Sequence, residues 1–216
     1  MNTPPSRPPA DRCVLFVDGA NLYNRLKDLG IRPALIDIDK VASKLTLGRQ
    51  ILQIRYYIPE IDRTAGRAYQ ANRELLASLR SRPRVHVSTG YIQRVNVGNE
   101  CADELLAYLG GLRIRLPSRV YSDLVALAKR HSEVEVYQEK GVDVALACDM
   151  VEMALKKAYD VAYLLSADGD FCPAVRMVKA LGIKVFAASP VIGQRLQAAC
   201  DASIRLDKDW FRDCTV

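Results

Sequence analysis

The chain has 216 residues, of which half are hydrophobic and about a quarter are charged, the balance of an ordinary globular protein. No apolar run approaches the roughly 18 residues that a membrane helix needs, and no charged-then-apolar signal segment opens the chain. We therefore expect a cytoplasmic protein with no membrane partner. Residues 1–11 are rich in proline and are expected to form a disordered tail.

The cysteines, histidines and arginines narrow the kinds of site further. Six cysteines form no CxxC pair and no close group with the two histidines, which argues against a structural zinc site and against a catalytic histidine.

The net charge of +6 is concentrated between Arg55 and Arg119, where there are eleven arginines, no lysine and six acids. Arginine suits bidentate contact with phosphate and stacking on bases, so this arginine block indicates either a nucleic-acid face or a solvated surface.

The first predicted strand ends in an acid. Residues 13–17 form a continuous apolar run, which is typical of a strand buried on both faces, and Asp18 follows directly. Gly19 permits a tight turn, and a helix is predicted from Asn21 to about Leu29. Neither GxGxxG nor GxxxxGK[ST] occurs here, so a glycine loop that cradles phosphate is not expected.

The following segments predict a parallel sheet. Their patterns indicate a helix at residues 36–47, a strand at 51–58, a helix at 64–79 and a strand at 84–95. This order is typical of βαβ units.

Residues 96–117 do not fit that layout, and we interpret them as a surface insertion. A short helix is predicted at residues 100–109, followed by a turn and a basic strand or loop at 110–117. A helix capped by Ser118 is then expected to residue 131, and a short edge strand at residues 134–137.

A strong helical pattern at residues 142–158 carries two acids. Asp143 lies in the first turn, where the helix dipole favours a negative charge, so simple helix capping is an alternative to a role in a site. Asp149 is about 240° around and roughly 9 Å along an ideal helix from Asp143, so the two cannot simply face one metal. We expect Asp149 to support the site from behind or to stabilise the fold.

A second apolar run, Val161–Leu165, is followed by two acids, Asp168 and Asp170. Ligands of open α/β sheets bind at the carboxyl ends of the strands, so these acids indicate a bound cation. The remaining predicted elements are a helix at 171–181, a strand at 183–187, a helix at 192–199, a short strand at 203–206 and a C-terminal tail at 207–216.

Together these acids predict a metal site. If the first and fourth strands are neighbours, Asp18, Asp143, Asp168 and Asp170 meet at one carboxyl edge of the sheet. Clustered carboxylates repel one another in a poorly solvated pocket unless Mg²⁺ or Mn²⁺ lies between them. Such a cation activates water and stabilises charge on phosphate, which indicates phosphodiester hydrolysis.

Three motifs carry a family resemblance: FVDGANL at residues 16–22, KGVDVALACDM at 140–150 and LSADGDF at 165–171. Together they resemble the NYN domain family, the LabA-like (DUF88) group of PIN-like nucleases. The resemblance implies an α/β fold, a PIN-like three-layer sandwich with a central, mostly parallel sheet flanked by helices. It implies one NYN domain at residues 12–206, with residues 96–117 as an insertion longer than the family layout leads us to expect.

The resemblance also implies a metal-dependent endoribonuclease that uses Mg²⁺ or Mn²⁺ and acts on RNA. Its acidic site falls on Asp18, Asp143, Asp168 and Asp170, with Asn21 as a polar neighbour and Asp149 on a recurrent acid of less certain role. We also expect Asn21 to contact the substrate, and from the arginine block we expect Arg80, Arg82 and Arg84 to bind the RNA backbone. Whether the protein forms a homo-oligomer is left open.

Two alternatives remain. The first is a haloacid-dehalogenase-type phosphatase or a receiver domain. Such a phosphatase would need an aspartate at position 20, which is Ala20. A receiver domain would need paired acids near the start and a lysine that ends a late strand, and neither feature appears in the sequence. A non-catalytic RNA-binding or scaffold protein on the same fold would retain the acids for stability.

Overall fold

The computed structural model describes residues 11–191 and 193–215. The predicted tail at residues 1–11 lies, apart from its last residue, outside the described residues. The strands are β1 (Arg12–Asp18), β2 (Gln50–Glu60), β3 (Val85–Gly98), β4 (Glu133–Lys140), β5 (Val161–Leu165), β6 (Lys184–Ser189) and β7 (Ala202–Arg205).

Eight α-helices connect the strands in the described residues. They are α1 (Gly19–Asp28), α2 (Ile38–Thr46), α3 (Arg67–Arg80), α4 (Glu100–Leu112), α5 (Ser118–Arg130), α6 (Val142–Leu155), α7 (Cys172–Ala180) and α8 (Gln194–Ala199). None of the helices within residues 11–191 and 193–215 combines the length and apolar character that crossing a membrane requires.

The strands form one sheet in the order β4-β3-β2-β1-β5-β6-β7, and the pairings from β3 through β7 are parallel. This confirms the predicted α/β class with a central, mostly parallel sheet flanked by helices. Strand β1 lies between β2 and β5, so the neighbouring strands required for a shared acidic edge are present. The predicted edge strand is β4, at one end of the sheet.

Alternation along β1 separates two apolar layers. Cys13, Leu15 and Val17 pack with residues of α1, α2 and α3 on one face. Val14 and Phe16 pack with residues of α6, α7 and α8 on the other. The next residue in that second series is Asp18, so alternation directs it toward the face that α6 covers.

Two local predictions were wrong. Helix α4 continues through Leu112, where a turn and a basic strand or loop were predicted, because Leu109 is buried where α4 packs against α5 and this packing outweighs the low helix propensity of two glycines. Ser118 is the first residue of α5 rather than its cap, and Pro117 precedes it as the N-cap.

The described residues form two compact units. One contains the residues up to Tyr91 and those from Lys140 onward, and the other is Ile92–Glu139, which holds α4 and α5. Residues 96–117 fall inside the second unit, and the single domain at residues 12–206 stays a prediction. The C-terminal segment belongs to the first unit, where Phe211 and Cys214 are buried in its core.

Candidate functional site: an acidic cluster at the carboxyl edge of the sheet

Asp18 lies at the carboxyl end of β1 and is 4% exposed. One carboxylate oxygen accepts the backbone N–H of Asn21 at 3.0 Å, which caps α1, and the other accepts the hydroxyl of Ser166 at 2.9 Å. Gly19 makes this turn possible, because a Cβ at that position would lie 2.6 Å from the carbonyl oxygen of Tyr57 on β2. The sequence therefore fixes the direction of this carboxylate from both sides.

Asp168 and Asp170 lie in the loop that follows β5. The hydroxyl of Ser166, besides donating to Asp18, accepts the backbone N–H of Asp168 at 3.1 Å. The carboxylate of Asp168 accepts the backbone N–H of Asp170 at 2.9 Å. The side-chain oxygen of Asn21 accepts the backbone N–H of Ala167 at 3.3 Å. Hydrogen bonds thus join the two strand ends. The sequence interpretation missed Ser166, whose signal was its place between a buried strand and the acids.

Asp143 lies in the first turn of α6, where its charge interacts with those of Asp168 and Asp170. Gly90 allows the start of α6 to lie close to β3. A Cβ at position 90 would be 2.4 Å from the carbonyl oxygen of Lys140 and 2.5 Å from the side chain of Val142. Gly90 was also missed, because no local pattern reveals a contact with a segment fifty residues away.

The charges of the four acids interact. Burial raises the pKa of Asp18 above its usual value, hydrogen bonds from Asn21 and Ser166 oppose that rise, and the charges of Asp143 and Asp168 add to it. Burial also raises the pKa of Asp143, and the charges of Asp168 and Asp170 raise it further. These interactions link Asp18, Asp143, Asp168 and Asp170 into one acidic cluster.

The donor set suits a hard divalent cation, although the described residues hold no ready-made cage. Within residues 11–191 and 193–215, no three acidic, histidine or cysteine side chains form a group that could by itself hold a metal ion. Mg²⁺ commonly keeps several waters and binds through one or two carboxylates together with substrate phosphates. An open, mutually repelling set of carboxylates fits that mode of binding.

Asp149 lies apart from the hydrogen-bond network of the acidic cluster. Its carboxylate accepts the hydroxyl of Tyr57 at 2.7 Å and pairs with Arg55 at 3.3 Å. Both partners are on β2, so these contacts hold α6 against the sheet. Tyr57 pairs with Asp18 in the strand register, so its hydroxyl joins Asp149 to the strand that lies beside β1.

The structure does not bring all three predicted RNA-binding arginines to the acidic edge. Arg82 and Arg84 precede β3, at the amino ends of the strands and opposite the edge where Asp18 lies. Arg82 donates to Asp37 and Asp39, both at 2.6 Å, and Arg84 pairs with Asp39 at 3.6 Å. Arg80 instead pairs with Glu60, at the carboxyl end of β2, at 3.2 Å.

We expect Arg82→Ala to lower the free energy of unfolding by about 1–2 kcal/mol, because it leaves two half-buried carboxylates without their shared partner. Arg84→Ala is the matched control, since its side chain is half exposed and its single ion pair is long, and its effect should stay below about 0.5 kcal/mol. Urea unfolding of both variants measures the difference. If Arg82→Ala kept wild-type stability but weakened RNA binding, the original RNA-binding interpretation of Arg82 would be the better one.

The chain was compared with known proteins. A family model described as NYN domain matches residues 12–207. A crystal structure of a protein of unknown function from Vibrio parahaemolyticus RIMD 2210633 is similar, with a TM-score of 0.58 and 16% sequence identity over 98% of this chain and 99% of that chain. At that identity the likeness shows the fold alone. No curated protein matches the chain.

Proposed function

The chain belongs to the NYN domain family, a group of PIN-like nucleases, and from that premise we propose that it is a divalent-metal-dependent endoribonuclease. The observation that carries the proposal is the junction at the carboxyl edge, where one hydroxyl, that of Ser166, bonds both Asp18 and the backbone of Asp168. This junction holds acids from two neighbouring strands together, and the interaction of the Asp143 charge with those of Asp168 and Asp170 supports its membership of the same site.

Each acid has a distinct part in this proposal. Asp18 is buried and fixed by two donors, so it presents a carboxylate of set orientation, whereas Asp143 and Asp170 are exposed and can meet solvent or substrate. Together with waters and the phosphate of the substrate, the four acids would hold Mg²⁺ or Mn²⁺. When bound, the cation would activate water and stabilise negative charge on the phosphate that is attacked. Asn21 orients the loop after β5 through its bond to Ala167.

The direct test is cleavage of defined RNAs by purified protein in Mg²⁺, in Mn²⁺ and in EDTA. Internally and end-labelled substrates distinguish endonucleolytic from exonucleolytic products. Cleavage that persists in EDTA would contradict the metal requirement, and clean RNA binding without cleavage in either metal would favour a non-catalytic RNA-binding protein.

A second test uses stability, independently of RNA. We expect Asp143→Asn to raise the melting temperature of the metal-free protein by about 1–3 °C, because it removes a charge that Asp168 and Asp170 repel. Mg²⁺ or Mn²⁺ should raise the melting temperature of the wild type and do so less for the variant. Glu104→Gln on α4 is a control for the loss of one exposed carboxylate, and it should show neither effect.

The pH dependence of that stability difference has a definite sign. The pKa of Asp143 is raised in the folded protein, so folding favours its protonated form and the repulsion acts only when the group is ionised. The stability advantage of Asp143→Asn should therefore be full at neutral pH and shrink as pH falls through the raised pKa. An advantage that grew on acidification would contradict the assignment.

RNA as the substrate, the LabA-like subgroup, a cytoplasmic location and a single NYN domain over residues 12–206 belong to the same proposal. Oligomeric state is read from the mass of the purified protein in solution. The arginine block supports the RNA part of the proposal through Arg80, which pairs with Glu60 at the carboxyl end of β2.

A further inference from the structure

A cavity of about 410 Å³ lies between the carboxyl end of β2 and helix α3. Its volume falls in the range of pockets that hold small organic ligands, which includes the size of a nucleotide. Apolar and aromatic surface comes from Tyr69 and Leu76, and charge comes from Glu60, Arg73 and Arg80. All of these residues belong to the unit that carries the acidic cluster.

Hydrogen bonds within the chain hold the walls of the cavity in place. Asn72 is buried, donates its side-chain N–H to the carbonyl oxygen of Pro59 at 3.2 Å and accepts the backbone N–H of Ile61 at 3.3 Å. These bonds fasten the end of β2 to the middle of α3. A ligand would meet a preformed surface, which reduces the ordering cost of binding.

One arginine of the lining lies against an aromatic ring, and another is paired with an acid. The guanidinium of Arg73 lies 5.7 Å from the ring centre of Tyr69, a cation–π contact, and Arg80 is held by Glu60 at 3.2 Å. An aromatic ring beside arginines is the arrangement that stacks a base and binds its phosphate. The Glu60 carboxylate can accept a ribose 2′-hydroxyl, the group that distinguishes RNA from DNA.

Helix α3 packs on the face of the sheet opposite to α6, so an RNA strand would cross the carboxyl edge of the sheet between the cavity and the acidic cluster. Asp18 pairs with Tyr57, and Glu60 is three residues further along β2, roughly 10 Å toward the carboxyl end. A few nucleotides of single strand span that separation.

We propose that this cavity binds one nucleotide of single-stranded RNA across the carboxyl edge of the sheet from the acidic cluster, with the base on Tyr69, the phosphate on Arg73 and Arg80, and the ribose on Glu60. The inference rests on the proposed function for its substrate class. A duplex buries its bases in stacking, so the cavity selects single strands.

The test measures binding of a fluorescent single-stranded RNA of about 12 nucleotides by anisotropy in EDTA, where the proposed cleavage is prevented. Tyr69→Ala should weaken binding about tenfold, whereas Tyr69→Phe, which keeps the ring, should stay within about twofold of the wild type. Arg80→Ala should reduce the salt slope by about one, and Arg67→Ala, an exposed arginine on α3 outside the cavity lining, should change it less. Thermal melting verifies that each variant is folded.

Two competitors test the substrate class. A duplex of the same sequence should show no dependence on Tyr69, and single-stranded DNA of the same sequence should bind several-fold more weakly than RNA. The gap between RNA and DNA should narrow in Glu60→Ala, which removes the acceptor for the 2′-hydroxyl. Equal affinity of the wild type for RNA and DNA would overturn the contact between Glu60 and ribose.

Failure of the cavity and failure of the proposed activity give different results. If folded Tyr69→Ala binds RNA like the wild type, and cleaves it in Mg²⁺ with unchanged KM, the cavity assignment is overturned while the nuclease stands. If binding depends on Tyr69 but the wild type cleaves nothing in either metal, the nuclease assignment is overturned while the cavity stands.

Discussion

Asp168→Asn is expected to reduce metal-dependent RNA cleavage by about a thousandfold or more while the protein stays folded. Asparagine keeps a side-chain oxygen that can accept the backbone N–H of Asp170, so the loop after β5 should retain its shape. What is lost is a negative charge at the place where the cation would bind, and metal catalysis depends on that charge. The measurement is the initial rate on a defined RNA at saturating Mg²⁺ or Mn²⁺.

Asp18→Asn should abolish cleavage as well, but with a cost in stability. Both oxygens of Asp18 accept hydrogen bonds, from Asn21 and from Ser166, and an amide replaces one acceptor with a donor. Asp168→Asn is therefore the cleaner variant. Loss of activity in Asp18→Asn is informative only when its melting curve shows that it is folded.

Asp149→Asn is the matched control for both substitutions. Its carboxylate contacts Tyr57 and Arg55 rather than the acidic cluster, so the variant should lose stability and keep cleavage within about threefold of the wild type. Equal cleavage by the wild type, Asp18→Asn and Asp168→Asn would instead indicate a contaminating nuclease and remove the main support for the proposed function.

The sequence predicted the position of the acidic edge because the signal there is local. Each acid follows an apolar run of strand length or opens a helix, and the buried strand Val161–Leu165 has the predicted bounds. Parallel strands place their carboxyl ends at one edge, so Asp18 and Asp168 could be brought together without knowledge of side-chain contacts.

What the sequence could not predict depends on contacts between distant segments. Arg82 was predicted to be part of a basic RNA-binding surface, but its guanidinium forms ion pairs with Asp37 and Asp39, more than forty residues earlier in the chain. The length of α4 was underestimated for a related reason, because packing against α5 outweighs the intrinsic preference of its glycines. Charge and propensity are local properties, whereas ion pairing and packing are not.

Gly90→Ala is expected to damage the site from a distance. The added Cβ would lie 2.4 Å from the carbonyl oxygen of Lys140 and 2.5 Å from Val142, which is closer than real Cβ contacts. Because the nearest atom belongs to the backbone, the start of α6 has to shift. Asp143 directly follows Val142, so it should shift as well. We expect a loss of about 2–3 kcal/mol in the free energy of unfolding and a fall in cleavage of about thirtyfold or more.

Gly98→Ala, at the end of the same strand, is the control for this substitution. No described atom lies within 4 Å of the position where its Cβ would be, so that variant should keep wild-type stability and activity. The stabilisation that Mn²⁺ gives to melting should also fall in Gly90→Ala and persist in Gly98→Ala, since only the first moves an acid of the cluster. If the two variants behave alike, the close approach of β3 and α6 does not position Asp143, and the cluster must rest on the contacts between β1 and β5.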